Sequence, residues 1–409
     1  MKKNTVLFVN LPSLPYEDSL ASFSGENVRT QPVSMPLGIL YLSSVLKQSG
    51  VADRASILDY ALAVQNVAQY GTIEAFIEQA ARKQVDFTPD ILAVSLIFST
   101  SHLFFTTCAK ILKSIWPDAV LIVGGTHATN GARHLLNGDH IDYVARGEGE
   151  LALNEFVRRY APGAGTVRIK GIYGRGQLTG TDIGDMCDPV LELDTLPFPD
   201  WDLIDMESYV TGRGRKREIG SSTGKRFASI MTTRGCPFHC TFCSSHTVHG
   251  RQMRFRSIDN VLAEVRSLHE RYGITLFIPE DDLFTANRAR VVGLLSALEK
   301  LAIPEFELQF PNALSVNTLN EAVMDALIGA GMRVANIAIE SGSEYVQKHI
   351  IKKNCSLKKA REIVRYLQNR EIIVRCYFIL GFPNETKEQM QETIAFAKSL
   401  GPDWSVFNI

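Results

Sequence analysis

Neither sign of charge dominates this chain, and no long apolar run interrupts it. Its 409 residues carry 43 Lys and Arg against 44 Asp and Glu, a net charge of −1. That balance gives no electrostatic case for nucleic acid, an acidic substrate or a membrane surface. After Met-Lys-Lys the apolar run at residues 6–9 is far too short for a signal peptide or a membrane span, so a cytoplasmic protein is expected. Internal repeats and low-complexity tracts are absent. Cysteine is sparse and odd in number: seven, at positions 108, 187, 236, 240, 243, 355 and 376. Such a set makes a poor disulfide framework, while three bunched cysteines suit a metal site in a reducing compartment. The four separate ones read as buried small hydrophobes.

What is present is a rhythm of strands and helices. Strands are expected at residues 5–9, 57–60, 91–98, 119–123 and 141–145, with helices at 36–50, 73–83, 102–116, 129–136 and 150–160. The run at 91–98 is continuously apolar, as a strand buried on both faces is. Short connections between alternating elements imply an α/β, Rossmann-like doubly wound parallel sheet over residues 1–165. Residues 166–226 are richer in Gly, Pro and Asp and read as a linker. They hold a basic loop, residues 212–217, expected as a solvated turn, and a glycine-flanked stretch, 220–226, whose spacing fails as a phosphate loop. From 227 to 409 the rhythm resumes. Strands at 227–232, 274–279, 306–310, 334–339, 372–380 and 404–409 suggest a partial (βα)6 barrel ending at its sixth strand.

The chemistry-bearing segment is Thr233-Arg-Gly-Cys236-Pro-Phe-His-Cys240-Thr-Phe242-Cys243. A four-iron, four-sulfide cluster usually takes four cysteine ligands. Three thiolates leave one iron open to a small molecule. A structural zinc site completed by His239, His246 or His249 is the plainer alternative. Chemistry in parallel α/β folds lies at strand C-terminal ends, and this loop follows the first strand of the second region.

The spacing of the three cysteines, with Phe242 before the last, resembles the radical S-adenosylmethionine (SAM) superfamily. Further motifs resemble its cobalamin-dependent branch: Pro279-Glu-Asp281-Asp282-Leu-Phe, then Glu340-Ser341-Gly-Ser, then Gly381-Phe-Pro-Asn384-Glu-Thr, where Asn384 replaces a glycine. In the first region, Gly124-Gly125-Thr126-His127, Arg146-Gly147-Glu148-Gly-Glu and residues 35–39 are similar to that branch's cobalamin-binding domain. The resemblance implies that Cys236, Cys240 and Cys243 hold a 4Fe–4S cluster. It implies that Phe242, Asp281, Asp282, Glu340, Ser341 and Gly381 surround SAM. It places cobalamin against Ser95, Ser99, Thr100, Gly124, Gly125, Thr126, His127, Gly147 and Glu148. Arg254 and Arg256 are open between an anion contact and a surface role. The loop after the first strand, residues 10–15, lacks the Asp-x-His-x-x-Gly that supplies a lower cobalt ligand elsewhere, and His127 or His102 could take that place.

The implied activity is methyl transfer from methylcobalamin to an unactivated carbon or phosphorus of a small-molecule or natural-product substrate, through a 5′-deoxyadenosyl radical. Flavodoxin or ferredoxin is the implied electron donor; neither nucleic acid nor a membrane span is expected. A cyclase, rearrangement or oxidation enzyme using the same cofactors is the nearest rival. A non-catalytic cobalamin- or metal-binding protein is the rival from another class. Methylthiotransferases carry three further cysteines in the N-terminal domain, where this chain has only Cys108. The family usually continues beyond the sixth strand, which leaves open whether the sequence is a fragment.

Overall fold

The computed structural model describes residues 3–13, 34–64, 67–163, 165–210 and 224–409. The basic loop, most of the rejected phosphate-loop stretch, and residues 14 and 15 lie outside them. The chain divides into two compact units, Met1–Lys216 with Thr247–His249, and Arg217–His246 with Gly250–Ile409.

The first unit is built on β1 (Asn4–Asn10), α1 (Leu37–Ser49), β2 (Ala52–Asp59), α2 (Ile73–Gln84), β3 (Ile91–Ser95) and α3 (His102–Ile115). It continues with β4 (Val120–Gly124), α4 (Thr126–Leu136), β5 (Tyr143–Ala145), α5 (Glu150–Arg159) and β6 (Ile172–Gly174). Its six strands lie in the order β2-β1-β3-β4-β5-β6, parallel except for β5–β6. Alternation along β1 explains the apolar strand runs. Leu7 and Val9 enter one core with Phe76, Phe104 and Leu112, while Val6 and Phe8 enter the opposite core with Ile39, Leu46 and Phe156. Both faces being covered, each such side chain contributes about 1.5–3 kcal/mol.

Three details depart from the sequence expectation. Strand β2 starts at Ala52 rather than 57, because it is an edge strand paired only to β1, and an edge tolerates polar Asp53 and Arg54. Strand β3 stops at Ser95, and Ile97 and Phe98 turn outward into the following loop, 48% and 51% exposed. Part of the segment expected as a linker instead supplies β6, and Arg146 fastens residues 183–184 by donating to both carbonyls.

The second unit holds β7 (Phe227–Ile230), a short antiparallel pair β8 (Thr233–Arg234) and β9 (Arg254–Phe255), α6 (Ile258–Tyr272), β10 (Leu276–Pro279), α7 (Arg288–Glu299) and β11 (Glu307–Leu308). Then come β12 (Leu314–Ser315), α8 (Glu321–Gly329), β13 (Val334–Glu340), α9 (Leu357–Gln368), β14 (Ile373–Ile379), α10 (Lys387–Leu400) and β15 (Trp404–Asn408). The parallel strands form two sheets, β11-β10-β7 and β12-β13-β14-β15. The third expected strand, 306–310, shortens to β11, and beyond a turn in which Ala313 has φ +63° a further short strand, β12, was not expected from the sequence. Helix starts are set by side-chain caps: Ser257, Asn287, Asn320 and Ser356 each accept from the backbone N–H three residues on, and Thr386 forms a full capping box with Gln389.

Candidate active site

The cysteine loop runs between β8 and β9, at the C-terminal side of β7. Cys236, Cys240 and Cys243 are free thiols and partly exposed, unlike the other four, which are buried. The loop is entered through Gly235, whose φ of +91° and closeness to the Gln252 carbonyl (2.3 Å from an ideal Cβ) exclude a side chain. Asp282 accepts from the Gly235 N–H at 3.3 Å. Cys236 N–H donates to the Gly250 carbonyl at 3.3 Å and Cys243 N–H to that of Cys240 at 3.3 Å. Phe242 is 40% exposed and leans on Phe382, ring centroids 5.7 Å apart.

Burial pushes the thiols of Cys236 and Cys240 up, and each is raised further by the charge of a neighbouring cysteine. Among the described residues no three His, Cys, Asp or Glu side chains form a closed metal-binding group. The donor set is nonetheless that of an iron–sulfur site, three soft, accessible sulfurs on one loop within electrostatic reach of each other. His249, one candidate for a zinc ligand, places Nδ1 2.9 Å from Glu148 Oε1.

The carboxylates named from sequence take different places. Asp281 is 4% exposed, and its two oxygens accept from the N–H and hydroxyl of Thr232. It thus fastens the end of β7, and burial raises its pKa. Asp282 is the one of the pair directed to the cysteine loop. Glu340 ends β13 at a register shift, with φ +70°, a strained conformation for a residue with a side chain. Its Oε1 accepts from Lys353 Nζ at 2.8 Å. Ser341 is fully buried, its hydroxyl 3.0 Å from that of Thr393. Gly381 has φ +86° with open space where a Cβ would stand, and its N–H donates to Glu385 at 2.7 Å. Asn384 has φ +69°, so the residue that replaces the family's glycine keeps the left-handed turn, which Asn tolerates. Burial of Arg254 and Arg256 removes the surface role. Arg256 is paired with Glu264 and bonded to the Met231 carbonyl at 2.8 Å.

In the first unit, Ser95 and Gly124 are register partners at the ends of β3 and β4, and Leu96 N–H donates to the Gly124 carbonyl at 2.8 Å. Gly125 has φ +106°, and a Cβ there would lie 2.7 Å from the Leu96 carbonyl oxygen. That close approach lets His127 N–H reach the Ile97 carbonyl at 3.1 Å. Ser99, Thr100, Thr126 and His127 stand at the same edge, beside the exposed apolar side chains of Ile97, Phe98 and Leu103. An apolar shelf next to side-chain-free backbone fits a large, flat macrocycle. Gly147 and Glu148 are tied to neighbouring segments. Gly147 N–H donates to Thr129 at 3.0 Å, and Glu148, 3% exposed, accepts from Val190 N–H at 3.1 Å.

Residues 230–397 match the radical SAM superfamily, and residues 28–157 match the B12 binding domain. The chain belongs to the cobalamin-dependent radical SAM family. It is 29% identical to an uncharacterized methyltransferase of Pyrococcus horikoshii, over 91% of this chain and 75% of that protein. It is 27% identical to the cytidylyl-2-hydroxyethylphosphonate methyltransferase of Streptomyces wedmorensis, over 90% of this chain and 73% of that one. It is 26% identical to the anaerobic magnesium-protoporphyrin IX monomethyl ester cyclase of Cereibacter sphaeroides, over 91% of this chain and 58% of that one. The radical SAM methyltransferase TsrM of Kitasatospora setae, solved with cobalamin and a [4Fe-4S] cluster, has the same fold. The TM-score is 0.70 at 19% identity, covering all of this chain and 72% of that one. Lys353 was not legible as a site residue in the sequence; no motif marks it, and only the fold brings it to Glu340.

Proposed function

We propose that this family member is a cytoplasmic methyltransferase acting on a small molecule, with an electron from a flavodoxin or ferredoxin. The observation that carries the reading is the partly exposed three-thiol loop at the C-terminal side of β7, in a chain that also holds a B12-binding unit. Cys236, Cys240 and Cys243 would hold the 4Fe–4S cluster. Asp282, Glu340 and the open backbone at Gly381 would receive SAM, and the edge formed by Ser95, Ser99, Thr100, Gly124, Gly125, Thr126 and His127 would receive cobalamin. When bound, these groups supply a radical from SAM and a carrier for a methyl group.

The protein's part is placement and exclusion of water. Asp282 fixes the loop entrance through Gly235 N–H. Phe242, between Cys240 and Cys243, is backed by Phe382. Glu340 is held at one geometry by Lys353 and by its own constrained backbone. At the other site His127 stays neutral, because burial and the neighbouring histidines lower its pKa. Asp281, Ser341, Gly147 and Glu148 hold the backbone around these residues through buried hydrogen bonds.

A cyclase reading has support from the Cereibacter relative and shares every cofactor. Incubation of the anaerobically loaded protein with reductant and methyl-deuterated SAM separates the two without a known substrate. Label on the protein-associated corrin is expected for the methyltransferase. A corrin that remains unlabelled while SAM is cleaved contradicts it and favours the cyclase.

A further inference from the structure

Glu340 is braced through the backbone on both of its sides. Its φ of +70° falls at the register shift of β13, and such a conformation persists only where the surroundings enforce it. Gln347 supplies the enforcement. This side chain is 2% exposed, and its Nε2 donates to the carbonyls of Ile339 and Ser341, each at 2.7 Å. Those two carbonyls flank Glu340. Gln347 Oε1 accepts in turn from the Cys355 N–H at 3.2 Å. A buried amide matched in this way keeps one orientation, because rotating it leaves donors and acceptors unpaired.

Gln347 sits in a single π-type turn, Val346–Ile350, closed by Ile351 N–H donating to the Val346 carbonyl at 2.9 Å. Turns of this kind are rare and are frequent at functional sites. The far end of the turn meets the thiol loop. Thr241 N–H donates to the Ile351 carbonyl at 3.0 Å, and Thr241 Oγ1 donates to the Ile350 carbonyl at 3.0 Å. Thr241 lies between Cys240 and Cys243, so both bonds fall inside the loop. One turn of backbone thus touches the strand end of Glu340 through Gln347 and the cysteine loop through Thr241. Past it, Asn354 N–H returns to the Gln347 carbonyl at 3.3 Å, and Lys353 reaches Glu340 at 2.8 Å.

We propose that Gln347 and Thr241 are positioning residues: through the π-turn between them they fix Glu340 relative to the three thiols, so that both parts of the SAM site act on one molecule at once. The inference rests on the reading that the cysteines hold a cluster open to SAM and that Glu340 belongs to the same site. Contact points held in a fixed relation bind one ligand more tightly than the same points free to drift. Both residues act through a neighbour, Gln347 through Glu340 and Thr241 through the loop.

The test is calorimetric titration of SAM into the oxidised, cluster-reconstituted full chain under anaerobic conditions, with iron counted per chain. Gln347→Met removes the amide at nearly constant volume, and SAM affinity should fall about tenfold with iron content unchanged. Thr241→Val should act in the same direction, and Thr241→Ser should stay within about twofold of wild type. Glu340→Gln should also weaken SAM binding. The double variant Gln347→Met with Glu340→Gln should bind no more weakly than Glu340→Gln by itself, whereas a general packing defect would add to the loss. Wild-type affinity in iron-loaded Gln347→Met, or additive losses in the double variant, overturns the proposal. If Gln347→Met takes up no iron, Thr241→Val replaces it, singly and with Glu340→Gln, under the same two criteria. Wild-type affinity in Glu340→Gln refutes its place in the SAM site and the proposal with it. Wild-type protein that takes up no iron instead refutes the cluster reading itself.

Discussion

His102 Nδ1 lies 3.2 Å from His127 Nε2, close enough to share a hydrogen bond at the strand ends of the B12-binding unit. Ser99 Oγ takes the other nitrogen of His127 at 2.9 Å. Burial lowers the pKa of both histidines, and the charges of neighbouring histidines lower it further. As pH falls below the ordinary histidine value, the unfolded chain takes up protons before the folded one. The stability these rings contribute is thus present near neutrality and is lost on acidification through the depressed values. Thermal melts from pH 7.5 to pH 5 should show a steeper fall in Tm for wild type than for His127→Gln. Parallel profiles would contradict this.

Gly125 allows no side chain. With φ +106° and a Cβ position 2.7 Å from the Leu96 carbonyl oxygen, Gly125→Ala must shift backbone. A cost of about 1–3 kcal/mol is expected, read as a lower urea midpoint. Corrin binding, measured by spectral titration, should weaken with it.

Asp281 and Asp282 are adjacent in sequence and opposite in role. Asp281→Asn leaves a buried acceptor pair half-matched to Thr232 and should cost about 1–3 kcal/mol. Asp282→Asn should change stability little, because Asp282 is only partly buried and makes one long bond, 3.3 Å, to Gly235. Its effect should fall on SAM affinity, measured by calorimetry. Equal stability losses for the two variants would refute the division.

Gly342 is a packing glycine. An added methyl would stand 2.4 Å from Phe396 Cβ, so Gly342→Ala should destabilise by about 1–3 kcal/mol in urea melts. Full stability would show that α10 can move aside.

Much of this was legible in the sequence where one physical rule acted alone. Two covered faces made the run from Ile91 plainly a strand. The cysteine triplet was legible because metal-ligand chemistry leaves few alternatives. The sequence was silent where tertiary contact overrode local pattern. Residues 172–174 look like linker until β5 offers them an edge. Arg254 and Arg256 look exposed because arginine usually is, yet Arg256 is buried against Glu264. Asp281 and Asp282 share one motif, and only the fold shows which of them faces the thiols. Lys353 becomes visible only through the turn that brings it to Glu340.

Metal and corrin analysis of the anaerobically purified chain tests the central claim most directly. The account predicts about four irons on Cys236, Cys240 and Cys243, lost together in Cys240→Ala, and a stoichiometric corrin. Tetrahedral zinc in the thiol loop with no bound corrin would contradict it.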